Sequence, residues 1–385
     1  MHIPSIKYLV SAPCGDVPVD SGRLDLPLEC DPSGTPYRIY FQSIKNLIEG
    51  DGFDLLGKAA GRRCGREVDM NEIGEIVVRA EKHGTLYHPA SLELILEEGR
   101  LKFGLNVAFS ETGRNWLKKE FSVIQKINTR CKLPYLPEVY FFQEEEPASF
   151  LLEEWFGGYH EFHISKREGG SQVIRLWEFG RGYRDLSAEQ SFEIYRQASK
   201  ILTLYYDMGD FSQIYPWHHA AGDFIVRVED GGIEVRLTTA REYDPYVVFQ
   251  EKETINPVIA LFYFLLNLTA RMRLDRLDGV GDTAWAEDSC LEASVRGFLD
   301  GLRLKGELKN YFSSEAEFFD VVKSFRPEDL KTAYSPLVDL YNGTGDYPVI
   351  TENLERHVEA LYATLQNFPS RSLQTASLIS SRAAT

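Results

Sequence analysis

The sequence predicts an α+β fold, and three observations lead there. Strand-like alternation begins at Glu75, helical apolar spacing takes over after Tyr246, and the pair Gly157-Gly158 marks a hinge between two differently patterned regions. Composition agrees with a folded chain. At 385 residues, 43% hydrophobic and 12% aromatic, there is enough apolar material for real cores, which excludes a disordered or fibrous protein.

Taken in order, residues 1–75 read as an N-terminal extension. Residues 1–36 are dense in Pro, Gly and Asp and read as irregular, whereas Tyr37 to Gly61 carries helix-like spacing broken by Gly50 and Gly52. Residues 76–156 form the first domain. Three antiparallel strands are expected, at about 75–80, 91–96 and 101–109, with turns at Lys82-His-Gly-Thr and Glu97-Glu-Gly. A helix follows from about Arg114 to Ile127. Its stripe of Leu117, Phe121, Ile124 and Ile127 contains one carboxylate, Glu120, which must point inward and is costly there without a partner. Strands at Leu136–Gln143 and Ser149–Trp155 close this region.

Residues 157–369 form the second domain. A hairpin is expected over Phe162–Trp177, and Ser187-Ala-Glu-Gln190 is a capping box that opens a helix to about Asp207. A second hairpin turns at Asp230-Gly231, followed by helices over 257–273, 289–303, 314–324 and 351–367. Residues 370–385 read as a frayed, disordered tail.

This order, together with the stretch Trp217-His-His-Ala-Ala-Gly-Asp-Phe-Ile-Val226, resembles the protein-kinase-like superfamily over about residues 76–250. The small-molecule branch of aminoglycoside and choline phosphotransferases is the closer match. The resemblance implies a two-lobed fold, with a small antiparallel-sheet N-lobe, a mainly helical C-lobe, and a nucleotide or related ligand in the interlobe cleft. ATP and Mg²⁺ would be the cofactors. Set against the family's His-Gly-Asp-Leu-x-x-Gly-Asn-Phe-Leu-Val, the chain places His219 at the catalytic Asp and Asp223 at the metal-binding Asn. A shifted frame, reading Ala221-Gly222-Asp223 as the family's His-Gly-Asp, would instead make Asp223 the base. Thr239 replaces the second metal-binding Asp, and a neutral hydroxyl is a weak Mg²⁺ ligand. Asn106 falls at the phosphate-contacting Lys; Lys102, four residues earlier on the same strand face, is the alternative. Glu120 occupies the helix Glu. His83 and Gly84 lie where the phosphate-covering loop would be, in a turn that an ordinary hairpin explains equally well.

Residue chemistry sets what these positions could do. An imidazole titrates near neutrality, so His219 could accept a hydroxyl proton while Asp223 holds one Mg²⁺; the plainer alternative is that His218 and His219 hydrogen-bond a buried loop. With three charged positions replaced, the expected protein is either an atypical small-molecule phosphotransferase or a pseudokinase. One alternative is a non-enzymatic interaction module on the same scaffold. Another is a metal-binding protein using the histidine pairs at 83 and 88, 160 and 163, and 218 and 219. Glu153 and Glu154 adjoin the hinge and read as solvated or structural.

A net charge of −16 argues against nucleic acid or anionic membrane as partner, and a small-molecule ligand or nucleotide is expected instead. Five scattered cysteines without a Cys-x-x-Cys pair suit a reducing cytoplasm, and the apolar run Pro257–Ala270 is too short for a membrane helix.

Overall fold

The computed structural model describes residues 4–12, 15–50, 52–81, 84, 86–245 and 256–368. Among these the chain divides into two compact units. One comprises residues 1–159 with the short pieces 178–182 and 239–242, and the other comprises 160–177, 183–238 and 243–385.

The first unit is built on a seven-stranded sheet. It opens with β1 (Ser5–Ala12) and β2 (Gly15–Pro18), followed by a single turn α1 (Ser21–Leu24) and the helices α2 (Tyr37–Glu49) and α3 (Gly52–Cys64). Next come β3 (Ile73–Ala80), β4 (His88–Leu96), β5 (Gly99–Ala108), α4 (Glu111–Cys131), β6 (Val139–Glu145) and β7 (Ala148–Glu154). The strand order is β2-β1-β3-β4-β5-β7-β6, antiparallel throughout except that β1 runs parallel to β3. Residues 5–12 and 15–18, read from sequence as irregular, are therefore two strands. The pairing that orders β1 is to residues 75–80, about seventy positions away, and local composition cannot report it.

The sheet's core face follows from strand alternation. Phe103, Leu105 and Val107 of β5 and Phe150 and Leu152 of β7 pack with Tyr40, Ile44, Leu47, Leu56 and Ala59 of α2 and α3 in one apolar cluster. The intervening residues, Gly104, Asn106, Leu151 and Glu153, belong to the opposite face. α4 starts at an N-cap where Ser110 Oγ accepts from Gly113 N at 3.1 Å, and it buries Leu117, Glu120, Ile124 and Ile127.

The second unit begins with β8 (His160–Lys166), β9 (Gln172–Glu178) and β10 (Gly182–Asp185). It continues with α5 (Ala188–Tyr205), β11 (Ser212–Ile214), β12 (Phe224–Glu229), β13 (Gly232–Leu237) and β14 (Tyr243–Pro245). The predicted capping box at Ser187 and Gln190 forms in full, and the Asp230-Gly231 turn joins β12 to β13 in register Phe224↔Leu237 through Glu229↔Gly232. A five-stranded sheet orders these as β10-β9-β8-β12-β13.

The remainder is mainly helical: α6 (Pro257–Arg271), the short pair β15 (Leu274–Arg276) and β16 (Thr283–Trp285), then α7 (Asp288–Lys305), α8 (Glu315–Lys323), α9 (Pro327–Asp339) and α10 (Tyr347–Gln366). α9 was not anticipated; its Pro336 and low apolar content mask the periodicity. α5 and α7 meet closely enough for Ser199 Oγ to donate to Ser294 O at 2.6 Å. The architecture is thus α+β, an antiparallel-rich sheet unit followed by a mainly helical unit. The tail at 370–385 lies outside the described residues. Among the described residues no helix is long and apolar enough to cross a membrane.

Candidate functional site

Within the sheet unit the fold gathers Asn106, Glu120 and Thr239 with a fourth residue, Glu153. Asn106 and Glu153 come from neighbouring strands, and Gly104 stands directly opposite Glu153 in the β5–β7 register. A Cβ on Gly104 would lie 3.2 Å from Glu153 Cγ, so the missing side chain makes room for the carboxylate to lie across β5. There Asn106 Nδ2 donates to Glu153 Oε1 at 3.0 Å. Glu153 Oε2 is buried and accepts no hydrogen bond among the described residues.

Glu120 reaches the same place from α4. It is buried, at 2% exposure, and its Oε1 accepts from the hydroxyl of Thr239. The partner that an inward carboxylate requires is thus supplied in part by the residue at the altered metal-ligand position. Burial, and then the nearby charge of Glu120, push the Glu153 carboxyl well above the usual carboxylate range, against the opposing pull of the Asn106 amide. Glu153 escaped the sequence reading because adjacent Glu153 and Glu154 project to opposite faces of a strand, and nothing in the sequence says which one turns inward.

Lys102, the alternative to Asn106, goes elsewhere. Its Nζ lies 3.9 Å from the centre of the Trp155 ring and 3.8 Å from Glu81 Oε1, and burial lowers its pKa. Gly84 is exposed, its N–H donating to Tyr87 O at 3.2 Å. His83 lies outside the described residues.

The helical unit holds the loop that carries His219 and Asp223. One 3₁₀ turn, His219–Ala221, is capped at its start by His218, whose Nδ1 accepts from Ala220 N at 3.0 Å. The turn ends at Gly222 with φ +70°, where a Cβ would also come within 2.9 Å of Glu161 Oε1. Asp223 is fully buried. Its Oδ2 accepts from His218 N at 2.8 Å and its backbone carbonyl from Thr238 N at 2.9 Å.

His219 is 2% exposed and ringed by Phe162, Tyr195, Trp217 and Phe224, with ring centroids 5.4–5.8 Å away. Its Nε2 lies 3.2 Å from Met272 O, so that nitrogen carries the proton and the ring is a neutral tautomer. Burial drives its pKa down to about 4. Nδ1, the nitrogen left with a lone pair, has no partner among the described residues and no contact with solvent.

A third cluster was not anticipated. His163, half of the expected 160/163 pair, lies 3.3 Å from Asp275 Oδ1 and 3.5 Å from Glu161 Oε2, with His163 and Asp275 both buried. Burial alone would lower its pKa, but the two carboxylates raise it to about 9. Asp275 also accepts from Ile164 N at 2.8 Å, tying β15 to β8. Among the described residues no group of three or more His, Cys, Asp or Glu side chains is arranged to hold a metal ion.

No family model matches the chain. No curated protein matches it either. A similar solved structure is the crystal structure of Rad53 1-466 in complex with AMP-PNP, at 13% sequence identity and a TM-score of 0.31, covering 70% of this chain. The match spans 62% of that chain's length.

Proposed function

We propose that this chain is a kinase-like ligand-binding protein of the pseudokinase kind, which does not carry out ordinary ATP-dependent phosphotransfer. The observation that carries the reading is the Asn106–Glu153 contact beside Glu120 and Thr239. In the family the chain resembles, that position is cationic and holds phosphates. Here it presents an amide, a hydroxyl and two acids, one of which already resists ionising because its carboxyl is desolvated and the other acid is near. Such a set repels phosphate oxygens and accepts hydrogen bonds from neutral or cationic groups.

The proposed proton acceptor and metal ligand point the same way. His219 offers its lone pair into an aromatic cage, and Asp223 uses a carboxylate oxygen to hold the His218 amide, so both support the loop. We therefore assign them structural roles.

Thermal denaturation with adenosine, and separately with ATP plus Mg²⁺, tests the proposal, because a ligand bound only by the folded state raises the midpoint by mass action. Adenosine should stabilise at least as well as ATP, and no phosphate should be released. Greater stabilisation by ATP accompanied by phosphate release would overturn the reading. No shift with either ligand would reassign the chain as an interaction module.

A further inference from the structure

A cavity of about 510 Å³ lies wholly in the helical unit, between the start of α7 and the middle of α10. That volume falls within the range of roughly 300–1,000 Å³ typical of small-molecule sites. Its floor is Arg273, 4% exposed and held in a fixed orientation: Nε donates to Ala286 O at 2.8 Å and Nη2 to Asp288 Oδ1 at 2.8 Å. Nη1 lies 3.5 Å from His357 Nδ1, and the guanidinium sits over the Trp285 ring at 5.0 Å.

A buried chain of hydrogen bonds backs this floor. His357 Nε2 is 2.8 Å from the Tyr334 hydroxyl, which in turn donates to Leu266 O at 3.1 Å. The proton therefore belongs on Nε2, leaving Nδ1 to face Arg273. Burial, and then the charge of Arg273, lower the His357 pKa to about 3, so the imidazole stays neutral beside the guanidinium.

The floor cancels its own charge, since Arg273 is paired with Asp288. What remains uncommitted is Arg356, exposed on α10, together with Glu359 and Glu287; none of the three makes an ion pair among the described residues. One positive and two negative groups thus line a cavity with the edge of an indole in its wall. An isolated anion meets two carboxylates, and a simple cation meets Arg356. A molecule with one carboxylate and two cationic groups separated by an aliphatic stem matches all of them. We propose that this cavity is a binding site for a basic α-amino acid, with the ligand carboxylate on Arg356, its ammonium groups on Glu287 and Glu359, and its stem along Trp285.

Titration calorimetry of the full chain with L-lysine tests this, with norleucine, which lacks the side-chain cation, and 1,5-diaminopentane, which lacks the carboxylate, as controls. L-lysine should bind at least tenfold more tightly than either. Arg356→Ala, an exposed change that leaves the fold intact, should reduce lysine affinity at least tenfold and should not weaken diamine binding. No heat with 10 mM lysine, a diamine as tight as lysine, or unchanged lysine binding by the Arg356→Ala variant would each overturn the proposal.

Discussion

The two units bury ionisable groups in opposite ways. In the sheet unit the part-buried Glu153 has its Oε2 shielded from solvent near the Glu120 carboxylate, with an amide on Oε1 and no hydrogen bond on Oε2 among the described residues, so its charged form is disfavoured. In the helical unit the buried imidazoles take the charge state their surroundings favour, although His219 Nδ1 and His163 Nε2 make no hydrogen bond among the described residues. His163 is cationic between two carboxylates, while His219 and His357 are neutral among aromatic rings and a guanidinium. The difference is one of charge state, since burial disfavours the ionised form of Glu153 but the carboxylates beside His163 favour its cation.

If this contrast is right, the largest effect comes from breaking a matched pair. Asp275→Ala strands the His163 imidazolium and frees Ile164 N, and should cost about 3–5 kcal/mol in urea denaturation. A loss below about 1 kcal/mol would show that the pair contributes little.

The pH dependence of stability comes next, and its two arms have opposite origins. The folded pKa values of His219, about 4, and His357, about 3, lie below the unfolded value. Their contribution is intact above about pH 6.5 and is lost as pH falls toward 4, on the order of 3 kcal/mol for each. The folded value of His163, about 9, lies above the unfolded one, so its contribution is intact below about pH 6.5 and is lost as pH rises through 9, by a similar amount. Denaturant midpoints across pH 4–9.5 should therefore peak near neutrality. His163→Gln should flatten the alkaline arm alone.

A smaller effect is expected in the sheet unit, with the opposite sign to most core substitutions. Because the Glu153 pKa is raised on folding, its contribution is present below the unfolded carboxylate range and is lost as pH rises. Glu153→Gln keeps the Asn106 contact and removes the charge. It should match the parent near pH 4 and exceed it by about 1 kcal/mol at pH 8. A variant less stable than the parent at pH 8 would mean that the ionised carboxylate is satisfied after all.

Much of the scaffold was legible because it is written locally. The capping box at Ser187, the Asp230-Gly231 turn, and the inward Glu120 on α4 each need only neighbouring residues to be read. That residues 102, 104 and 106 share one face of β5 also followed from alternation. What could not be read depends on distant chain. β1 becomes a strand only by pairing with β3, and the cage around His219 draws on rings as far apart as Phe162 and Phe224. The clamp on His163 uses Asp275, more than a hundred residues away. The His160/His163 spacing suggested a shared ligand, but the strand β8 and its contacts with β15 give His163 a different partner.

The proposed function requires that this chain lack ordinary ATP-dependent phosphotransfer. Phosphate release from ATP in the presence of Mg²⁺, compared between the parent chain and its Asp223→Asn variant, tests it most directly. The account predicts no release above the protein-free background for either chain. Release by the parent that the variant abolishes would contradict it.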